Sequence, residues 1–251
     1  MTAIARLTRA ELRKLATTRT FLITLALSVG LAVISVVVDA WGAGKYGTPP
    51  LGTTASTYQM LKFGAVTSVA MLVLGIISAG GEYRHKTIIP AMLITPRRGA
   101  LLAAKAIATA TAGVMLSGLT FGLGLATVVA ELSARGITYL PSGTARMFAG
   151  TVIAATLFGL IGVALGYITR STVAAVVGAV GWVLFAELAI LGTLAPHLAK
   201  WLITGSAVAL TNPPVTGSGA LTPAAAAAVL SAYAVVLLAI ASRLVLRRDA
   251  A

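Results

Sequence analysis

Phe21 to Val38 is a run of 18 residues without a charge, and nothing else in the chain constrains its fold as tightly. At about 1.5 Å per residue, such a run crosses the hydrocarbon core of a bilayer as one helix. The pattern then repeats. Charges are confined to short knots, and between the knots lie further apolar runs at about 63–81, 106–130, 147–169, 171–195 and 224–242. With the first, at about 20–38, this predicts an all-α polytopic fold of six spans forming one transmembrane domain over residues 1–251. Arg170 alone separates the fourth run from the fifth, so those two read as a tight helical hairpin. Pro223 stands as a helix-start residue before the sixth.

Charge sets the orientation. Of the 19 basic residues, five (Lys45, Lys62, Arg135, Arg146 and Lys200) fall in the connections on one side and 14 on the side of the N-terminus. Basic residues accumulate on the cytoplasmic side, so both termini are expected inside. The net charge of +13 would suggest nucleic acid in a soluble protein. Here only 10% of residues are charged and 58% are hydrophobic, against roughly 25% charged in a soluble domain. Topology explains the basic residues, and no nucleic-acid partner is expected.

Before the first run, Arg6, Arg9 and Arg13 fall on one helical face and Ile4, Leu7, Leu12 and Leu15 on the other. Residues 1–19 therefore read as a basic amphipathic helix suited to an anionic cytoplasmic leaflet. The plain alternative is a topogenic cluster that only holds the N-terminus inside. The outer connection at 197–222 carries Trp201 to Leu210, ten residues too short to cross, then Asn212-Pro213-Pro214. That composition fits a re-entrant segment, since a seventh crossing would put Arg243, Arg247 and Arg248 outside. GxxxG pairs (Gly118 with Gly122, Gly162 with Gly166) and the nearby Gly178 with Gly181 read as helix-packing positions.

Catalytic chemistry has little to stand on. Without cysteine, disulfides, thiol nucleophiles and thiolate metal sites are excluded together. His85 and His197 are expected on opposite sides of the membrane, so no metal site is predicted. Gly42 to Tyr46 lacks the glycine spacing and the Ser/Thr of a phosphate-binding loop, so this chain has no P-loop for ATP. No catalytic residue and no cofactor is assigned. Glu187 is the one acid within a span, about 22 Å along its helix. It is read either as a cation or proton contact on a transport path or as a hydrogen-bond partner of a neighbouring helix.

The densest polar knot is Gly80 to Lys105, holding Glu82, Arg84, His85, Lys86, Arg97, Arg98 and Lys105. Ionised groups are costly at mid-bilayer, so residues 82–105 read as a cytosolic loop. Here the chain resembles the type-2 ABC-transporter permeases: Gly81, Glu82, Thr87, Pro96, Arg97 or Arg98, and Lys105 match the loop pattern of that family, and Glu11, Lys14 and Arg19 its N-terminal approach. Lys86 stands where the family usually has glycine.

The resemblance implies the non-catalytic permease subunit of an ATP-driven exporter, and the Ala- and Gly-rich composition suggests a bacterial plasma membrane. It implies a coupling helix at Glu82, Tyr83, Arg84, His85, Lys86 and Thr87, docked on a separate ABC ATPase subunit that binds ATP and magnesium. A second permease copy, identical or paralogous, completes the unit, and Phe63, Met71, Phe185 and Glu187 would lie near the substrate path. Few charges within the spans favour an amphipathic or lipophilic cargo such as a drug, antibiotic, peptide or lipid. The competing expectation is an ATP-independent, ion-coupled carrier or channel built on Glu187.

Overall fold

The computed structural model describes residues 3–84, 98–187, 196–212 and 220–247. All regular structure in them is helical. Helix α1 (Ala3–Thr17) is followed after Thr18 by α2 (Arg19–Gly42), then by a short α3 (Thr54–Met60) and α4 (Gly64–Arg84). The long α5 (Arg98–Ser133) and α6 (Thr144–Thr169) come next, then α7 (Thr172–Gly181), which runs into a π-helical turn at Trp182–Ala186. A one-turn α8 (Pro196–Ala199), α9 (Ile203–Thr211) and α10 (Pro223–Arg247) complete the described chain.

Five stretches are long and apolar enough to cross a membrane: Arg19–Gly42, Thr54–Arg84, Gly99–Ser133, Thr144–Thr169 and Pro223–Val245. The chain is a helical, multi-pass membrane protein by that measure. The expected fifth span at 171–195 reaches only Glu187 within the described residues, and its apolar helical part is Thr172–Ala186. Residues 188–195 lie outside them, so six crossings are an expectation, against five candidate spans among the described residues.

Local chemistry explains several boundaries. At the α6–α7 corner, Arg170 takes the left-handed conformation (φ 54°) and its N–H bonds to Gly166 O, while Ser171 Oγ accepts the Ala174 N–H at 3.3 Å. One left-handed residue and one serine cap thus close the hairpin that the lone Arg170 predicted. Helix α3 starts where Thr53 Oγ1 accepts the Ser56 N–H. Helix α10 starts at Pro223, with Thr222 Oγ1 accepting the Ala225 N–H.

The centre of the bundle is the α4–α6 pair. A Cβ on Gly75 would run into the Gly159 carbonyl, and one on Gly162 would run into the Leu72 carbonyl. The two helices therefore meet backbone to backbone, as small residues permit in membranes. Around them Leu72, Ile76, Phe158 and Ile161 pack with Leu210 of α9 and with Ala226, Leu230 and Ala234 of α10. Of the glycines expected to pack, Gly162 and Gly166 do, but a Cβ on Gly118, Gly122, Gly178 or Gly181 would meet nothing within 4 Å. Those four lie on uncrowded faces, because spacing alone does not say which way a stripe of small residues turns.

The segment before α10 folds back into the bundle. Tyr233 Oη donates to the Trp201 carbonyl, and Tyr233 lies about 15 Å along α10 from its start at Pro223. From that depth α9 runs back to Leu210, whose carbonyl faces Gly150 of α6.

Candidate functional site

At the α1 end of the bundle, four charged side chains from three helices converge. Lys105, less than two turns beyond Gly99 on α5, is only 2% exposed. Its Nζ lies 2.5 Å from Glu11 Oε2 of α1 and 2.9 Å from Glu82 Oε1 in the last turn of α4, and it donates to the Ser78 carbonyl at 3.0 Å. Lys14 bridges the same two carboxylates from the rim, 2.5 Å from Glu11 Oε1 and 3.3 Å from Glu82 Oε1. Glu11 and Glu82 are 5% and 7% exposed, whereas the Lys14 side chain is 56% exposed. Among the described residues, two acids and two bases thus form a cluster that joins α1 to the ends of α4 and α5.

Burial tends to push the Glu11 carboxyl up, but the Lys105 charge and hydrogen bonds from Lys105 and Lys14 outweigh it and hold the group below its ordinary value. Lys14 behaves conversely. Burial pulls it down, and the bond to Glu11 with the charges of Glu11 and Glu82 brings it above the ordinary lysine range. Both residues are held in their charged forms. Beside the cluster lies a cavity of 390 Å³ whose polar lining includes Thr18, Thr20 and Ser78.

Sequence reasoning placed Glu82 among partner contacts and matched Glu11, Lys14 and Lys105 only to family positions, without pairing them. The signal was present: at about 100° per residue Glu11 falls between Leu7 and Leu15 on the apolar face of α1. An acid centred on an apolar face needs a buried cation.

The six residues expected in the coupling element divide. Glu82, Tyr83 and Arg84 lie in the last turn of α4, and the chain is again helical from Arg98. Tyr83 meets Tyr167 edge-on, with ring centroids 6.1 Å apart, and the Arg170 guanidinium lies 5.6 Å from the centre of the Tyr83 ring. Glu82 is spent on the cluster, and Arg84 is exposed. His85, Lys86 and Thr87 lie outside the described residues.

The four residues expected along a substrate path are not brought together. Phe63 is buried against Phe121 at 5.4 Å. Met71 is core, with Leu74, Ala112, Leu116 and Ala155. Phe185 is 74% exposed on the outer surface of the bundle. Glu187, fully buried, accepts the Trp182 indole N–H at 3.0 Å and the Thr204 backbone N–H at 2.6 Å. Thr204 belongs to the first turn of α9, so the carboxylate satisfies an orphan amide at a helix N-terminus. The π-helical turn at Trp182–Ala186 sets the five-residue spacing at which Trp182 meets Glu187. A mostly apolar cavity of 500 Å³ between α2, α4 and the π turn is lined by Leu27, Leu31, Val69, Val73, Leu184 and Thr204 among others, and by none of those four.

Among the described residues no group of three or more His, Cys, Asp or Glu is placed to hold a metal. No protein-family model matches the chain, and no curated protein matches it in sequence.

Proposed function

We propose that this chain is the permease subunit of an ATP-driven exporter of the type-2 ABC class, moving an amphipathic or lipophilic molecule across a bacterial plasma membrane. The observation that carries the reading is the cluster of Glu11, Lys14, Glu82 and Lys105. It ties the N-terminal helix to both helices that flank residues 85–97, where a motor subunit would push. A force applied there reaches α1, α4 and α5 together. Buried charge pairs are costly to open, so the three ends move as one body.

Such a subunit is driven only if the nucleotide states of its motor bind its two conformations with different affinity. ATP and magnesium belong to that motor, and a second permease copy completes the unit. The carrier reading built on Glu187 is the weaker one, because both oxygens of that carboxylate are engaged within the chain.

The test is copurification of the tagged chain from its host, with Lys86→Glu as the perturbation. The reading expects an ATPase subunit in equal amount, lost or depleted in the variant, and transport that requires nucleotide. Recovery of a stable chain that transports without any ATPase would overturn it.

A further inference from the structure

We infer that the exposed face of α1 is a docking surface for anionic phospholipid headgroups, and that the buried ionic cluster creates it by removing the only acid from that face. Residues 1–19 hold five basic residues and one acid, Glu11. Taking about 100° per residue, Glu11 is about 160° away from both Arg9 and Arg13. Lys105 and Lys14 fix it there, 5% exposed. What remains outside is cationic: Arg6, Arg9 and Arg13 are exposed, and none makes an ion pair among the described residues.

Covalent geometry puts this face at a membrane surface. Helix α1 ends at Thr17 and the span α2 begins at Arg19, so one residue separates them. Leu15 of α1 packs in the same cluster as Phe21 and Leu25 of α2, which holds α1 against the start of the span. Three exposed guanidiniums on a helix joined by one residue to the start of a span match phosphodiester headgroups in charge and in level. This inference rests on the membrane-spanning fold and not on the exporter reading.

The experiment is amide hydrogen exchange of α1 in the full chain, reconstituted into nanodiscs of pure phosphatidylcholine or of phosphatidylcholine with phosphatidylglycerol. Each arginine near an anionic surface contributes about a fivefold preference, so the three together slow α1 exchange by up to about a hundredfold in anionic discs. The difference shrinks in about 1 M salt, where the screening length falls to about 3 Å. It disappears in Arg6→Gln/Arg9→Gln/Arg13→Gln and persists in the matching lysine triple, which keeps the charge and controls for folding. Equal protection in neutral and anionic discs overturns the inference, as does a lipid dependence that survives the glutamine triple. Protection that appears only when a soluble protein partner is added also overturns it, since the face would then belong to that partner.

Discussion

Substituting Lys105 by methionine isolates what the ionic cluster contributes. The side chain keeps much of its length and apolar stem but loses the ammonium that meets Glu11 at 2.5 Å, Glu82 at 2.9 Å and the Ser78 carbonyl at 3.0 Å. Two nearly buried carboxylates then face each other with Lys14 at the rim between them. Removing one partner of a buried pair costs about 3–5 kcal/mol. Lys14 offsets part of that, by about 1 kcal/mol, because a half-exposed lysine is screened by water. Lys105→Met should therefore destabilise the protein by about 2–4 kcal/mol. The triple variant Glu11→Met/Glu82→Met/Lys105→Met removes the charges together and should return to within about 1 kcal/mol of the native chain, since replacing a whole buried cluster by apolar groups is often neutral. Unfolding in mixed micelles by titration with SDS, followed by circular dichroism, gives both values. A loss below about 1 kcal/mol for the single variant, or a triple variant as damaged as the single, would refute the reasoning.

Three further outcomes follow from the same geometry. The Glu11 carboxyl lies below its ordinary value of 4.5 and Lys14 above 10.5. The Glu11 contribution to α1 docking is thus fully present above pH 4.5 and is lost as pH falls through the lower folded value. That of Lys14 is fully present below 10.5 and is lost as pH rises through its higher one. The protection factor of α1 amides, with the intrinsic pH dependence of exchange divided out, should show a plateau between those limits and fall beyond both. Gly150→Ala drives a Cβ into the Leu210 carbonyl and should cost about 1–3 kcal/mol by SDS titration, whereas Gly118→Ala, with nothing within 4 Å, should be neutral or slightly stabilising. Glu187→Leu strands the Thr204 and Trp182 N–H groups, which cost about 1–3 kcal/mol each when left unmet. It should raise amide exchange across α9 while leaving α1 unchanged, and Glu187→Gln should retain part of the protection.

How much was legible depends on what each feature rests on. Five of the six long apolar runs and the hairpin at Arg170 follow from hydropathy and one punctuating charge, and the structure has these as helices and corner. That α9 stays short could be read from a ten-residue apolar piece bounded by breakers. The ionic cluster was harder, because Glu11, Glu82 and Lys105 each look like a loop or interface charge until the helices place them together. The π turn in the fifth apolar run leaves no mark in composition. It answers to Glu187 and Thr204, 17 positions apart. The glycines misled in part: Gly118 and Gly122 have the spacing of a packing motif but an open face, while Gly75, which belongs to no such pair, meets the Gly159 carbonyl.

The ionic cluster also orders biogenesis. Glu11 leaves the ribosome 94 residues before the lysine that it binds, so α1 is made first among these partners and seated last. Until the third long helix enters the membrane, Glu11 lacks its Lys105 partner, and α1 is tied less firmly to the bundle. Nascent chains stalled short of Lys105 should therefore leave α1 open to protease, and chains stalled well past it should protect it. Insertion of α5 is the event that closes the protein.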